Sequence, residues 1–206
     1  MNFVGISKLS LLDYPNKMSA ILFTKGCNFK CPFCHNGLTL LDNSAKEIPF
    51  EEILDFLKKR VGVLDGVVIS GGEPTLMPDL KDKIIAIKKL GYLIKLDTNG
   101  TNPEIVQDLI NQRLIDYVAM DIKNCMIKYD LTTNSCVDQN KILKTIQILM
   151  SSGIDYEFRT TLINEFHSLE DIEEMGKMIK GSKAIFLQQF KVSDGVINKN
   201  LHPVDE

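Results

Sequence analysis

Net charge is scarce in this chain: 24 lysines and arginines stand against 27 acids, a balance of −3 at pH 7, with the two signs interspersed. Gripping a phosphate backbone takes a broad basic field, and without one nucleic acid is not an expected partner. Long apolar runs are also missing. No stretch approaches the roughly 18 apolar residues of a membrane helix, and the opening MNFVGISKLSLLDYP carries no apolar core of a secretory signal. A soluble, cytoplasmic protein with no membrane partner is expected. Low-complexity tracts and internal sequence repeats are absent. So is a disulfide framework: the cysteines number five, and three of them fall within eight positions. An odd, clustered set suits a reducing compartment in which thiolates are kept for metal.

What is present is a chain of 206 residues, 44% apolar, long enough for one well-buried core. It reads as a single domain over 1–206, with an entry segment at 1–17, a β/α core at 18–190 and a C-terminal tail at 191–206. Apolar runs and breakers alternate regularly through the core. The spacing predicts strands at Met18 to Thr24, Gly66 to Ser70, Tyr92 to Asp97, Asp116 to Ile122, Asp155 to Ile163 and Lys183 to Phe190. Between them it predicts helices at Phe50 to Arg60, Asp79 to Leu90, Pro103 to Gln112, Asn140 to Ser152 and Ser168 to Lys180. In the first helix Phe50, Ile53, Leu54 and Leu57 share a face, and in the last Ser168 is an N-cap with Asp171 at the capping-box position. Alternating strands and helices imply parallel pairing with right-handed crossovers. Six β/α units in so short a chain point to a partial (β/α)6 barrel open on one side, since eight units typically take about 250 residues. A doubly wound open sheet is the alternative that the pattern leaves standing.

Directly after the first of these strands comes Gly26-Cys27-Asn28-Phe29-Lys30-Cys31-Pro32-Phe33-Cys34-His35-Asn36, three thiols at C-x-x-x-C-x-x-C spacing. Thiolates select soft metals and iron-sulfur clusters, and a cubane usually takes four. With three grouped here, one iron would keep an open position, the feature that separates catalytic from closed structural metal sites. A structural zinc held by three cysteines and His35 competes with this reading, but Cys34 and His35 are adjacent, whereas zinc ligands are usually spaced by two or more residues. A redox pair of Cys31 and Cys34 leaves Cys27 unexplained. Cys125 and Cys136 follow no metal spacing and read as free thiols, His167 and His202 have no partner pattern, and Met120 and Phe158 read as core.

Other strand ends also carry chemistry. Ser70-Gly71-Gly72-Glu73-Pro74-Thr75 ends the second strand, where a glycine pair lets backbone approach a ligand; a plain strand-to-helix turn explains it equally well. Asp97-Thr98-Asn99-Gly100 closes the third strand and Asp121-Ile122-Lys123 the fourth, bringing two carboxylates and an ammonium to one rim; turn chemistry with a surface ion pair is the bland account. Arg159 lies inside an apolar strand, where it needs either a bound carboxylate or ribose or a protein carboxylate beside it. Each of these segments falls at or near the C-terminal end of its strand, the rim on which barrel enzymes carry their sites.

The cysteine loop, with aromatic Phe33 before its last thiol, resembles the signature loop of the radical S-adenosylmethionine (SAM) superfamily. The resemblance implies a 4Fe-4S cluster on Cys27, Cys31 and Cys34, with SAM chelated to the open iron, an electron passed to the sulfonium and a 5'-deoxyadenosyl radical that takes a hydrogen atom. It implies that Gly71, Gly72 and Glu73 cradle the amino group of SAM, that Asp97, Thr98, Asp121 and Lys123 contact its carboxylate and ribose, that Phe33, His35 and Arg159 belong to the same cofactor pocket, and that a monovalent cation lies near Asp97 and Asp121. The stretch from Phe3 to Pro15, with GCNFKCPFCHN, GGEPT, DTNG, MDIK, FRTT and LQQF, is similar to the activating proteins of glycyl radical enzymes, most of all those of anaerobic ribonucleoside-triphosphate reductase. The Cys-His-Asn run is shared with pyruvate formate-lyase activating enzymes. A glycyl radical enzyme is thus the implied partner, and because no further cysteine cluster is present, the electron must come from an external donor such as flavodoxin or ferredoxin. One departure is visible: Asn16 stands where many relatives have glycine. A small-molecule radical SAM enzyme such as a 7-carboxy-7-deazaguanine synthase, and a non-enzymatic metal-binding module, are the other readings.

Overall fold

A computed structural model describes residues 3–37 and 45–204. Its sheet has seven strands in consecutive order: β1 Phe3–Ser10, β2 Ser19–Thr24, β3 Gly66–Gly71, β4 Leu93–Thr98, β5 Tyr117–Asp121, β6 Asp155–Leu162 and β7 Ile185–Gln189. From β2 to β7 every pairing is parallel, while β1 runs antiparallel to β2. The helices are α1 Phe50–Lys58, α2 Leu80–Lys88, α3 Pro103–Asn111, α4 Tyr129–Thr133, α5 Gln139–Ser151 and α6 Leu169–Met178, with 3-10 turns at Pro74–Leu76 and Met126–Lys128. A doubly wound sheet reverses its strand order at a switch point; here the order runs straight, and β1 and β7 are opposite, unjoined edges. The architecture is the open, partial barrel expected of the chain. Among the described residues no helix is long and apolar enough to cross a membrane.

Alternation along the strands divides the sheet into two faces. Ala20, Leu22, Val67, Ile69, Ile94, Leu96, Val118, Met120 and Phe158 are fully buried and join Ile53 and Leu57 of α1, Ile84 and Ile87 of α2 and Val106 and Leu109 of α3 in one core. The opposite face holds a small apolar cluster of Tyr14, Ile21 and Val68, with Phe23, Leu93 and Tyr117 packed against it, and carries charged side chains beside it. Lys95 is buried there, donating to the Asp13 carbonyl at 2.5 Å and to Glu157 at 3.2 Å. The segment after β1 closes the end of this face away from the cysteine loop. Ser10 Oγ accepts from the backbone of Leu12 and Asp13, the Tyr14 ring lies 5.9 Å from that of Tyr117, and Asn16 takes φ 58°. A left-handed residue is what that turn requires, which asparagine tolerates nearly as well as glycine.

Helix ends follow their chemistry. Ser168 caps α6 in a complete capping box with Asp171, as the spacing predicted. Lys128 and Ser168 bond the same carboxylate; burial alone would raise its pKa, and these bonds hold it well below the usual range. Two elements differ from expectation. Residues 3–10, read as an entry segment, form the edge strand β1, and 126–133, to which the sequence assigns no element, contain a 3-10 turn and α4. The tail is also more than an appendage: Val196 and Leu201 are buried, and Asn164 N–H donates to the His202 carbonyl at 3.0 Å.

Candidate active site

The cysteine loop leaves β2 through Gly26, at φ 79°, and is anchored on three sides. Toward β3, Gly72 N–H donates to Thr24 O at 3.0 Å and Glu73 N–H to Gly26 O at 2.9 Å. Behind the loop, Lys30 N–H donates to Thr133 O at 3.0 Å and to Ser135 Oγ at 3.1 Å, and the Phe29 ring meets Tyr129 edge-on at 6.3 Å. From the tail, Asn198 N–H donates to Pro32 O at 2.8 Å, and His35 Nε2 lies 2.8 Å from Lys191 O. Gly71 has to be glycine: at φ 113°, a Cβ would come within 2.4 Å of the Thr24 backbone nitrogen.

Around this loop opens a cavity of about 190 Å³, lined by Cys27, Cys31, Cys34, Phe33, His35, Gly71, Gly72, Asp97, Thr98, Asp121, Lys123 and Arg159, together with Phe29, Asn36, Ser70, Asn99 and Thr161. Apart from Glu73, it gathers every residue that the sequence singled out. Glu73 is completely buried, and its carboxylate accepts from Thr75 N and Oγ1, from Thr98 Oγ1 and from Asn99 N. The side chain is therefore a strut between the β3 and β4 turns rather than a cavity wall, and burial pushes its pKa up in spite of the donors. Of the residues that sequence reasoning passed over, Asn36 and Asn99 lie inside motifs already noticed, and Thr161 follows Arg159 by two positions, the spacing that puts both on one face of β6.

Arg159 bridges the two rim carboxylates, with Nε 3.0 Å from Asp121 Oδ1 and an Nη 3.5 Å from Asp97 Oδ2. Lys123 Nζ is 3.0 Å from Asp121 Oδ2 and sits 6.0 Å over the Phe33 ring. Burial alone would raise the Asp121 carboxyl and lower both cations; their pairing outweighs it, bringing Asp121 down to about 2 and holding Lys123 and Arg159 above their ordinary values. The arginine thus satisfies the bland expectation of a protein partner and still faces the cavity. A cation near Asp97 and Asp121 would share their neutralisation with Arg159. Asp97 Oδ1 is buried without a hydrogen-bond donor, Lys95 Nζ standing 3.7 Å away.

Burial raises the Cys27 thiol to about 11, the Cys31 thiol to about 12 and the Cys34 thiol in the same direction. Thiols so placed are protonated at neutral pH until a metal displaces the proton. They share one cavity, yet among the described residues no three His, Cys, Asp or Glu side chains close on a single ion. His35 is meanwhile engaged with the tail. Soft donors spread around a cavity suit a polynuclear iron-sulfur group better than a tetrahedral zinc. Cys125 is buried against Asp171 and Cys136 is exposed, and neither lines the cavity.

Residues 21–179 match the radical SAM superfamily, and the chain belongs to it. Its cofactors are accordingly a 4Fe-4S cluster and SAM. The fold is that of SuiB from Streptococcus suis solved with bound SAM, at a TM-score of 0.65 and 19% identity over 86% of this chain and 44% of that one. A protein of Methanocaldococcus jannaschii provisionally assigned as a glycyl-radical enzyme activating enzyme is 42% identical over 201 residues, covering 92% of this chain and 80% of the relative. Within the superfamily, the chain therefore belongs with the glycyl-radical enzyme activating enzymes. A pyruvate formate-lyase-activating enzyme of Clostridium pasteurianum is 31% identical over 125 residues, 58% of this chain and 51% of the relative, so the chain spans about half that enzyme's length.

Proposed function

We propose that this enzyme removes a hydrogen atom from one backbone glycine of anaerobic ribonucleoside-triphosphate reductase, leaving a glycyl radical on that partner. The observation that carries the reading is the joint lining of one cavity by three thiols and by the charged ends of β4, β5 and β6. Cys27, Cys31 and Cys34 hold the cluster. The backbone at Gly71 and Gly72 receives the SAM amino group, while Asp97, Thr98, Asp121, Lys123 and Arg159 orient the carboxylate and ribose, between walls formed by Phe33 and His35. When bound, the cluster supplies one electron to the sulfonium of SAM, which makes hydrogen-atom abstraction possible. Outside the loop, Cys125 and Cys136 do not form a second cluster site, which favours an external donor such as flavodoxin or ferredoxin in a reducing cytoplasm.

The edges β1 and β7 are not joined, and an extended peptide would reach the cavity through that open side. Glycine suits that route because it has no Cβ to hold its backbone away. The partner's glycine loop must leave its own core to enter, so the complex is expected to be transient. The test is to mix the reduced, cluster-loaded protein and SAM anaerobically with the reductase and record the electron paramagnetic resonance spectrum. A doublet that collapses when the glycine Cα is deuterated supports the reading. A doublet on pyruvate formate-lyase alone keeps the activase class and changes the partner; silence with both overturns the proposal.

A further inference from the structure

The side-chain amide of Asn99 is fixed from every direction. It is 6% exposed. Its Oδ1 accepts from Thr101 N–H at 3.1 Å and from Thr101 Oγ1 at 2.7 Å, which uses both lone pairs and settles which end of the amide is nitrogen. One Nδ2 hydrogen goes to Asn28 Oδ1 at 2.8 Å. The other faces Cys27 Sγ at 3.9 Å. Asn28 is itself held by donating to Thr101 Oγ1 at 3.0 Å, and the backbone of Asn99 is pinned by its N–H donating to Glu73 Oε2 at 2.6 Å. Nothing in the turn leaves this amide free to rotate away from the sulfur. The Phe29 backbone N–H reaches the same sulfur at 3.4 Å.

We infer that Asn99 is a positioning residue for the iron-sulfur group: its second amide hydrogen is held on the Cys27 sulfur and sets how readily the bound cluster accepts an electron. The inference rests on Cys27 being a cluster ligand. A donor on a ligating thiolate withdraws electron density and stabilises the more negative, reduced form, so it raises the reduction potential. It also gives the buried Glu73 a purpose that does not require contact with SAM, because the strut aims the β4 turn that carries Asn99.

The test compares two variants of equal charge in the anaerobically reconstituted, full-length protein. Asn99→Asp keeps an acceptor for Thr101 and loses the hydrogen on Cys27; Asn28→Asp adds the same charge nearby and keeps an acceptor for Asn99. Iron and sulfide content and the midpoint potential, followed by electron paramagnetic resonance during reductive titration, are measured for each. The expected result is a full cluster in both, with a midpoint clearly lower in Asn99→Asp than in Asn28→Asp. Equal shifts in the two, or no shift in Asn99→Asp, overturn the inference. If Asn99→Asp loads no cluster, the uncharged Asn99→Ser, too short to reach Cys27, decides in its place: a lowered midpoint supports the inference and an unchanged one overturns it. Failure of both Asn99 variants to load would make the residue purely structural and would likewise overturn it. Wild-type loading, with loss of iron in Cys27→Ala, tests the ligand assignment separately.

Discussion

The helix-covered face of the sheet and its opposite face are built from alternate residues of the same strands, yet they hold together by different means. On β4, Ile94 and Leu96 enter the apolar core while Lys95 and Asp97 turn to the other side. There, Lys95, Lys123 and Arg159 meet Asp97, Asp121 and Glu157 in a connected ionic layer beneath and around the cavity. Dispersion and burial tolerate small adjustments of shape. A buried ionic layer does not, because removing one member strands the others. Stability is thus concentrated on one face and precise placement of charge on the other.

The largest effect should come at the edge of the charged face, where Cys27→Ala, Cys31→Ala and Cys34→Ala are each expected to abolish 5'-deoxyadenosine formation, while Cys125→Ala and Cys136→Ala retain both cluster and turnover. Retained product in Cys31→Ala would break the division. Next, Lys95→Met should cost about 3–5 kcal/mol in denaturant unfolding by leaving Glu157 buried without a cation, with Tyr117 Oη its remaining donor at 2.9 Å, and adding Glu157→Leu should recover most of the loss. If the double variant is no better than the single, the ionic layer is not what holds that face. On the apolar face, Ile69→Ala should cost about 2–5 kcal/mol, with SAM affinity, measured on the folded fraction, unchanged.

A smaller effect is expected from acid. Asp121 is held at about 2, below its ordinary 3.8, so its stabilisation is complete above the ordinary value and is lost as the pH falls through the folded one. The loss is on the order of 2 kcal/mol between about pH 5 and pH 1, and Asp121→Asn should flatten the acid limb of a stability-versus-pH curve, leaving the share that belongs to Asp171. Because Asp121 is tied to both Lys123 and Arg159, its removal is also more than the loss of a surface pair. The smallest effect is expected at Asn16→Gly, within about 0.5 kcal/mol by thermal unfolding, since both residues accept the left-handed turn, whereas Asn16→Ala should cost about 1–2 kcal/mol.

Much of this comparison could be read from the chain. The parallel strands and long helices were legible to within about two residues because their apolar periods are strong. Strand β1 was not: Phe3 is fully buried, but most of the strand is half-buried or exposed, so alternation is weak at that edge. Nor was α4, whose five residues are too short to announce themselves by propensity and are held by contacts made far away in sequence, such as Lys30 on Thr133. In the site, residue type and position at strand ends were enough to pick out the cavity lining. Direction was not legible. Glu73 carries the right chemistry at the right place and points away from the cavity, because four donors from two turns converge on it from the other side.

The clasp between tail and cysteine loop also sets an order in time. His35 meets a carbonyl that lies 156 positions further along the chain. At about 5–20 residues added per second, a ribosome takes roughly 8 to 30 s to travel that distance. Throughout that interval the three thiols have already been made, while the segment that closes over their loop does not yet exist. The loop that must receive iron is therefore closed only after nearly the whole chain has been made.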